Sequence, residues 1–193
     1  MKICVYGASS SAIDKEYIEK TEQLGRELAQ RGHSLVFGAG TEGLMGAVAR
    51  GVHSAGGHVT GVIPQFFLDN SAEVLYQDCD TLYKTETMRE RKQIMEDNAD
   101  AFIMVPGGIG TYEEFFEIMT LKQLHRHNKA IGIYNINGFF TDIYEVMENA
   151  VEKKFMKEKC LKLFYMTEDR EKLWEYIEGP QAELDDLSEL KRN

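Results

Sequence analysis

Short uninterrupted runs of apolar residues alternate along the chain with longer amphipathic segments. The runs, of which residues 101–105 are the clearest, predict strands, and the amphipathic segments predict helices because their apolar residues recur at helical spacing. The predicted strands cover residues 2–7, 34–37, 58–63, 81–83, 101–105, 130–134 and 162–166. The predicted helices cover residues 13–31, 44–55, 87–98, 112–127, 142–153 and 168–178.

This alternation predicts a Rossmann-like α/β fold. Strands that alternate with helices form parallel βαβ units, and strands without in-out alternation are covered on both faces. We therefore expect a doubly wound three-layer sandwich of about seven mostly parallel strands. The 193 residues, of which 43% are hydrophobic, suffice for one core, so residues 1–180 are predicted to form a single domain. The charged tail at 181–193 is predicted to be either a frayed helix or disordered.

Composition narrows the classes of function. The formal net charge of −10 disfavours a general binder of nucleic acid or anionic membrane, since both need a basic surface. No stretch approaches the roughly 18 apolar residues of a membrane span, and the N-terminal apolar run is too short for a signal peptide. Three cysteines without a Cys-x-x-Cys pair suit a reducing cytosol and indicate neither disulfides nor a metal site. We expect a cytoplasmic protein without a metal.

Glycine-rich loops follow three of the predicted strands, and each loop leads directly into a helix. Ligands of open α/β sheets bind at the carboxyl ends of the strands, where helix N-termini offer free N–H groups to a phosphate. Three such loops in one sheet favour a phosphate-bearing ligand over three ordinary tight turns. The candidate phosphate-binding residues in these loops are Gly7, Ser9, Gly38, Gly40, Gly43, Gly107, Gly108, Ile109, Gly110 and Thr111.

The second loop, GAGTEG at 38–43, matches the Gly-x-Gly-x-x-Gly pattern of dinucleotide-binding proteins. That pattern needs an acidic residue at the end of the next strand to hold the ribose hydroxyls, but this strand runs into Pro64 and Gln65. The loop also lies in the second βα unit instead of the first. An NAD-dependent dehydrogenase is therefore disfavoured.

Thr111 and Glu114 have the spacing of a helix capping box, with Thr111 as the N-cap. The same geometry at the carboxyl end of a strand would aim Thr111 at a phosphate and Glu113 or Glu114 at the attached sugar. The two roles do not exclude each other.

Arg91 lies on one helical stripe with Met88 and Met95, in a helix that Thr87 and Glu90 open as a capping box. Arg91 either reaches past the methionines to solvent or is held inward for an anionic or hydrogen-bonding ligand. Because this helix immediately precedes the strand at 101–105, Arg91 and the third glycine loop can meet at one cleft.

The segments MRERK at 88–92 and PGGIGTYEE at 106–114 resemble the paired motifs of the LOG (Lonely Guy) family of cytokinin-activating phosphoribohydrolases. The resemblance extends to GLMG at 43–46, GVIP at 61–64 and NGFF at 137–140, and it covers roughly residues 1–180. Such sequences have also been labelled lysine decarboxylases, but nothing in this one identifies a Schiff-base lysine or a pyridoxal site.

The resemblance implies hydrolysis of the N-glycosidic bond of purine nucleoside 5′-monophosphates, including those of N6-substituted adenine, to free base and ribose 5-phosphate. It implies Arg91 and Glu114 as catalytic residues, with Glu113 as the second candidate for the acid. The remaining substrate-binding residues expected with the glycine loops are Met88, Lys92 and Thr120. No cofactor is expected. The alternative is a non-catalytic nucleotide or cofactor carrier, which has no need for Arg91 together with Glu114.

Two features depart from the family pattern. Gly38-Ala39-Gly40 replaces three successive glycines, and Phe66 follows Gln65 where plant members carry a glutamate near the base. Phe66 and Phe67 either border the base, which would make base selectivity loose, or fill the core under an irregular loop.

The family is usually dimeric, and we expect a homodimer here. Two predicted helices also carry more apolar side chains than one sheet need bury, unless all of them are ordinary core. These side chains are Met88, Met95, Phe115, Phe116 and Met119.

Overall fold

The computed structural model describes residues 1–69 and 74–191. The strands are β1 Lys2–Tyr6, β2 Ser34–Phe37, β3 Val59–Pro64, β4 Thr81–Thr85, β5 Ala101–Met104, β6 Ala130–Tyr134 and β7 Tyr165–Thr167. The α-helices are α1 Lys15–Gln30, α2 Gly43–Ser54, α3 Gln65–Asp69, α4 Met88–Asp97, α5 Ile109–Gln123, α6 Thr141–Glu152, α7 Arg170–Glu178 and α8 Leu187–Lys191.

The strands form one sheet in the order β4-β3-β2-β1-β5-β6-β7, and every neighbouring pair is parallel. The chain winds outward from β1 to β4 and then crosses back to β5 on the other side of β1. The carboxyl ends of β1 and β5 therefore flank the point where the winding reverses, and this is where open α/β sheets bind ligands. The prediction of a doubly wound parallel sheet is confirmed.

Apolar side chains cover both faces of the sheet and create three layers. On one face, α1, α2 and α7 bury Leu24, Val48 and Trp174. On the other face, α4 and α5 contribute Met95 and Phe115. Strands covered on both faces need continuous apolar sequence, which explains the runs that predicted them.

Several boundaries differ from the predictions. Helix α5 begins at Ile109, three residues before the predicted start, because the preceding glycine turn leads straight into the helix. The predicted irregular segment at 65–78 begins with the short helix α3, and its residues 70–73 lie outside the described part of the chain. The predicted strand at 162–166 starts too early: residue 162 ends a 3-10 turn, Glu158–Lys162, and the strand β7 begins only at Tyr165.

The C-terminal tail packs on the protein as far as Lys191. Leu190 on α8 is buried, and its carbonyl accepts a hydrogen bond from Gln123 Nε2 on α5 at 2.9 Å. Residues 192–193 lie outside the described part of the chain. In the described residues, no helix combines the length and the hydropathy that crossing a membrane requires.

Candidate active site

The loops that follow β1 and β5 are joined by backbone hydrogen bonds. The N–H of Ala8 donates to the carbonyl of Pro106 at 3.1 Å, and the N–H of Leu44 at the start of α2 donates to the carbonyl of Ala8 at 2.8 Å. A Cβ at Gly107 would lie 2.1 Å from Thr111 Oγ1, so only glycine lets the β5 loop close against α5. Two of the predicted glycine loops are thus held together at the switch point of the sheet.

Helix α5 begins at this junction with Gly108 as its N-cap and no side-chain capping hydrogen bond. The prediction that Thr111 is the N-cap is therefore wrong, since Thr111 is the third residue of the helix. Glu114 lies in the second turn and is not part of a capping box. The first-turn N–H groups have no partner within the helix, and with the helix dipole they form a favourable place for an anion.

Arg91 points into the protein, with only 6% of the residue exposed. Its Nε donates to the Val62 carbonyl at 3.3 Å and its Nη2 to the Gly38 carbonyl at 3.4 Å, at the ends of β3 and β2. Its guanidinium carbon lies 5.8 Å from the ring centre of Phe67. The predicted capping box of Thr87 at the start of α4 is confirmed, and Arg91 is held inward instead of reaching solvent, whereas its binding of a ligand stays a prediction.

Gly38 provides the space that Arg91 occupies. A Cβ at this position would lie 1.9 Å from Arg91 Nη2, which is far inside van der Waals contact. Gly38 is a predicted phosphate-binding residue, but its contact in the structure is with the guanidinium.

Glu114 and Glu113, which are neighbours in sequence, have different environments. Glu114 is 8% exposed and lines the cleft. Glu113 is an exposed residue that also reaches the cleft, and its Oε1 is 2.5 Å from Lys92 Nζ. The same Nζ lies 2.6 Å from Glu117 Oε2. A buried acid and an ion-paired acid therefore stand side by side.

Behind Glu114, β1 carries the buried side chains of Tyr6 and Cys4. Burial, followed by interaction with Cys4 and Glu114, holds the pKa of Tyr6 well above its ordinary value. Burial also raises the pKa of Cys4, and the charge of Glu114 adds to that rise. Both side chains therefore stay protonated at neutral pH and leave the wall behind Glu114 uncharged.

These groups surround a cleft of about 390 Å³ at the β1 and β5 ends of the sheet. One wall is polar and consists of the β1 loop and the start of α5, and the other wall carries Arg91 among thioether and aromatic side chains. The lining residues are Gly7, Ala8, Ser9, Ser10, Met45, Phe67, Met88, Arg91, Gly108, Gly110, Thr111, Glu113 and Glu114.

Some predicted site residues do not line this cleft. Lys92 is engaged by Glu113 and Glu117, Ile109 is 89% exposed at the start of α5, and Thr120 is exposed further along that helix. The others are four buried glycines, namely Gly38, Gly40, Gly43 and Gly107. Their roles in substrate binding remain predictions.

Four residues that line the cleft are not among the predicted site residues. Ala8 and Ser10 flank the predicted Ser9 in the same loop, and Met45 lies within the GLMG segment. Phe67 was considered only for base selectivity. Ala8 and Ser10 could have been predicted because they lie in the glycine-rich loop after β1. The inward orientation of Met45 could not, because it depends on how α2 packs.

Comparisons with known proteins show the family of this chain. A family model described as "Possible lysine decarboxylase" matches residues 45–177. A cytokinin riboside 5′-monophosphate phosphoribohydrolase of Arabidopsis thaliana, LOG7, is 35% identical over 187 residues, which cover 97% of this chain and 85% of the relative. A second one from the same plant, LOG2, is 34% identical over 186 residues, covering 96% and 86%.

Two solved structures share the fold at lower identity. The molybdenum cofactor binding protein of Rippkaea orientalis is 18% identical with a TM-score of 0.69, covering 92% of this chain and 94% of the other. The molybdenum cofactor carrier protein of Chlamydomonas reinhardtii is 19% identical with a TM-score of 0.64, covering 87% and 89%. At these identities the likeness concerns the fold alone. The extent of the sequence matches, together with the motifs around Arg91 and Glu114, shows that the chain belongs to the LOG family, whose family model carries the lysine decarboxylase description.

Proposed function

We propose that the protein hydrolyses the N-glycosidic bond of purine nucleoside 5′-monophosphates and releases the free base and ribose 5-phosphate. The observation that carries this proposal is the placement of buried Arg91 and buried Glu114 in one cleft with the N-terminus of α5. A cation, a carboxylate and a phosphate-binding helix end are the groups that this reaction needs.

The start of α5 holds the 5′-phosphate in this proposal. Gly108 and Gly110 face open space, so the backbone is accessible to phosphate oxygens. The hydroxyls of Ser9 and Ser10 lie across the cleft and add donors. Binding energy from the phosphate, which does not react, places the glycosidic bond against the catalytic groups.

Glu114 acts on the sugar. Breaking the bond between C1′ and the base nitrogen develops positive charge on the sugar, which a nearby carboxylate stabilises. Glu114 also accepts a proton from the water whose oxygen forms the new bond to C1′. The bond between C1′ and the base nitrogen breaks, solvent supplies the proton that this nitrogen gains, and Glu114 then returns its proton to solvent. Of the two acids, Glu114 is the better candidate for this role, because it is buried in the cleft whereas Glu113 is held by Lys92.

Arg91 binds the nucleotide from the opposite wall and helps to orient Glu114. Its hydrogen bonds to the carbonyls at 38 and 62 fix the guanidinium at the ends of two strands. A guanidinium fixed in this way loses little freedom when substrate binds.

The base lies against Met45, Phe67 and Met88 in this proposal. These apolar side chains distinguish substrates by only about 1–3 kcal/mol, so we expect AMP and N6-prenylated AMP to be cleaved within roughly a hundredfold of each other in kcat/KM. Phe67 lines the cleft. Phe66 is exposed and packs edge-on against the ring of Phe67, with 4.7 Å between the ring centres. Phe67→Ala should therefore shift the ratio between the two substrates more than Phe66→Ala.

The alternatives account for less of the site. A carrier of the kind named for the solved structures would need neither Glu114 nor Arg91. A lysine decarboxylase needs an amine for a Schiff base, and no lysine is found among the described residues that line the cleft. The test is incubation with AMP, N6-isopentenyl-AMP, GMP and CMP: release of free purine base supports the proposal, and no release from any nucleotide overturns it.

We also propose that the protein is a cytoplasmic homodimer. The free cysteines Cys4, Cys79 and Cys160 suit a reducing compartment. Of the five side chains that prompted the dimer prediction, Met95, Phe115 and Met119 are core residues of one chain, Met88 lines the cleft, and Phe116 is exposed. Together with exposed Ile109, Phe116 leaves an apolar part of α5 for a second copy.

Light scattering at micromolar concentration tests the oligomeric state. We expect a particle of twice the mass of the chain, because a dimer would cover the exposed apolar side chains of Ile109 and Phe116. A particle with the mass of a single chain would contradict the dimer.

A further inference from the structure

Each of the two helices that carry the proposed catalytic pair has a second charged residue directly beside the catalytic one. Helix α4 carries Arg91 followed by Lys92, and α5 carries Glu113 followed by Glu114. Arg91 and Glu114 are buried at the cleft. Lys92 turns instead toward Glu113, so a second cation–carboxylate contact joins the same two helices.

Lys92 bridges two carboxylates of α5. Its Nζ lies 2.5 Å from Glu113 Oε1 and 2.6 Å from Glu117 Oε2, and only 14% of its side chain is exposed. Glu113 and Glu117 are four residues apart and would repel each other without a cation between them. Burial alone would lower the pKa of Lys92, but the bonds to these two carboxylates outweigh it and raise that pKa.

A third carboxylate, that of Glu96, makes the charge of Lys92 more important to the contact between α4 and α5. Glu96 lies one turn after Lys92 on α4 and is half-buried near Glu117. Burial first, and then the charge of Glu117, raise the pKa of Glu96 to about 7, while Lys92 acts to lower it. Without Lys92, these carboxylates would face one another across the two helices.

The helices have separate supports on the sheet. Helix α4 rests mainly on β3 and β4, whereas α5 rests on β1 and against α8. A shift of α4 relative to α5 would therefore change the position of Arg91 relative to Glu114.

We propose that Lys92 is a positioning residue that fixes α4 against α5 through Glu113 and Glu117, and so holds Arg91 and Glu114 in place across the cleft. This inference rests on the proposed function and assigns Lys92 a role other than phosphate binding. It also makes Glu113 a partner of Lys92 and leaves Glu114 as the acid that acts on the sugar.

Kinetics of Lys92→Met test the proposal, since methionine keeps the length of the side chain and removes its charge. We expect kcat for AMP to fall about 10- to 100-fold, as small misplacements of catalytic groups do, while KM changes by less than about threefold. Glu117→Gln, which alters no residue of the cleft, should lower kcat in the same direction with KM unchanged. Lys92→Arg should restore most of the rate because its guanidinium can contact both carboxylates.

Lys159→Met is the matched control. Lys159 also bridges two carboxylates, Asp185 and Glu189, but it lies in the 3-10 turn Glu158–Lys162, where it contacts the C-terminal tail and does not line the cleft. Lys159→Met should leave kcat and KM unchanged. A rise in KM in Lys92→Met with unchanged kcat, together with a normal rate in Glu117→Gln, would show that Lys92 binds phosphate and would overturn the proposal.

Crystal structures of wild type and Lys92→Met separate this inference from the proposed function. We expect the position of Arg91 relative to Glu114 to shift by about 1 Å, enough to matter for catalysis. Positions that agree within about 0.5 Å would overturn the positioning role, whether or not the wild type releases a base from any nucleotide.

Discussion

Arg91, Glu114 and Lys122 are the buried charged side chains of the described residues, and two of the three line one cleft. Burying a charge costs free energy unless the group is paired or hydrogen-bonded. Lys122 meets this need by donating to the carbonyl of Lys129 at 2.9 Å. Arg91 donates to the carbonyls of Val62 and Gly38, and both Arg91 and Glu114 also stand where a ligand can reach them, which is typical of groups kept for function.

Glu114→Gln should lower kcat about 10²- to 10⁴-fold, because glutamine keeps the shape of the side chain but cannot accept a proton from water. Since Glu114 takes no part in a capping box, the change should leave thermal unfolding close to that of wild type. Base release and an unfolding curve measured on the same preparation check both statements.

Glu148→Gln on the exposed surface of α6 is the control and should behave as wild type. A near-normal rate in Glu114→Gln would remove Glu114 from the mechanism. A large loss of stability would give it a structural role instead.

Gly38→Ala should act through Arg91. The added Cβ would lie 1.9 Å from Nη2, so the guanidinium must leave its hydrogen bond to the Gly38 carbonyl. We expect kcat to fall toward the level of Arg91→Ala. Because both changes disturb one interaction, the double variant should lose little beyond Arg91→Ala alone, and full additivity in kcat would contradict this account of Gly38.

At the scale of the elements, α4 and α5 begin differently. Thr87 accepts from the N–H of Glu90 in a full capping box, so its side chain closes the start of α4. Helix α5 has no side-chain cap and presents its first N–H groups to the cleft. A helix start that lacks a cap of its own is the one suited to bind an anion.

Contact between these two helices should depend on pH through Glu96. Its pKa is raised from 4.5 to about 7 by burial and by Glu117, with a smaller contribution from Asp97, while Lys92 and Lys129 oppose the rise. The folded state therefore holds this proton in a pH range where the unfolded chain has lost it. Stability contributed by Glu96 accordingly falls as pH rises from about 4.5 to 7.

Glu96→Gln removes this titration. We expect the variant to raise the unfolding temperature relative to wild type at pH 8, where Glu96 is charged, and to change it much less at pH 5. Thermal unfolding followed across this range checks the sign. An equal shift at both values of pH would show that the charge of Glu96 does not matter.

At the scale of the whole molecule, the sheet and its switch point could be predicted because buried parallel strands need continuous apolar runs, as at 101–105. The start of α5 could not be predicted correctly, since the spacing of Thr111 and Glu114 alone matches a capping box. The glycine turn before Ile109 decides the helix start, and nothing in the helical pattern reveals that.

The site could be predicted in part. Met88, Arg91 and Met95 share a stripe, but periodicity does not distinguish an arginine that reaches solvent from one seated on Gly38. The partners of Lys92 depend on how α4 packs beside α5, which local sequence does not specify. The motifs therefore indicated loops that border the cleft, and only the packing separates residues that line the cleft from those that support it.

In the proposed function, the cleft binds a 5′-phosphate and its residues cleave the glycosidic bond beside it. The most direct test compares free adenine released from AMP and from adenosine by the wild-type protein. We expect kcat/KM for AMP to exceed that for adenosine by about a hundredfold or more, because phosphate binding at α5 places the bond for attack. Equal values of kcat/KM for the two substrates would contradict this account.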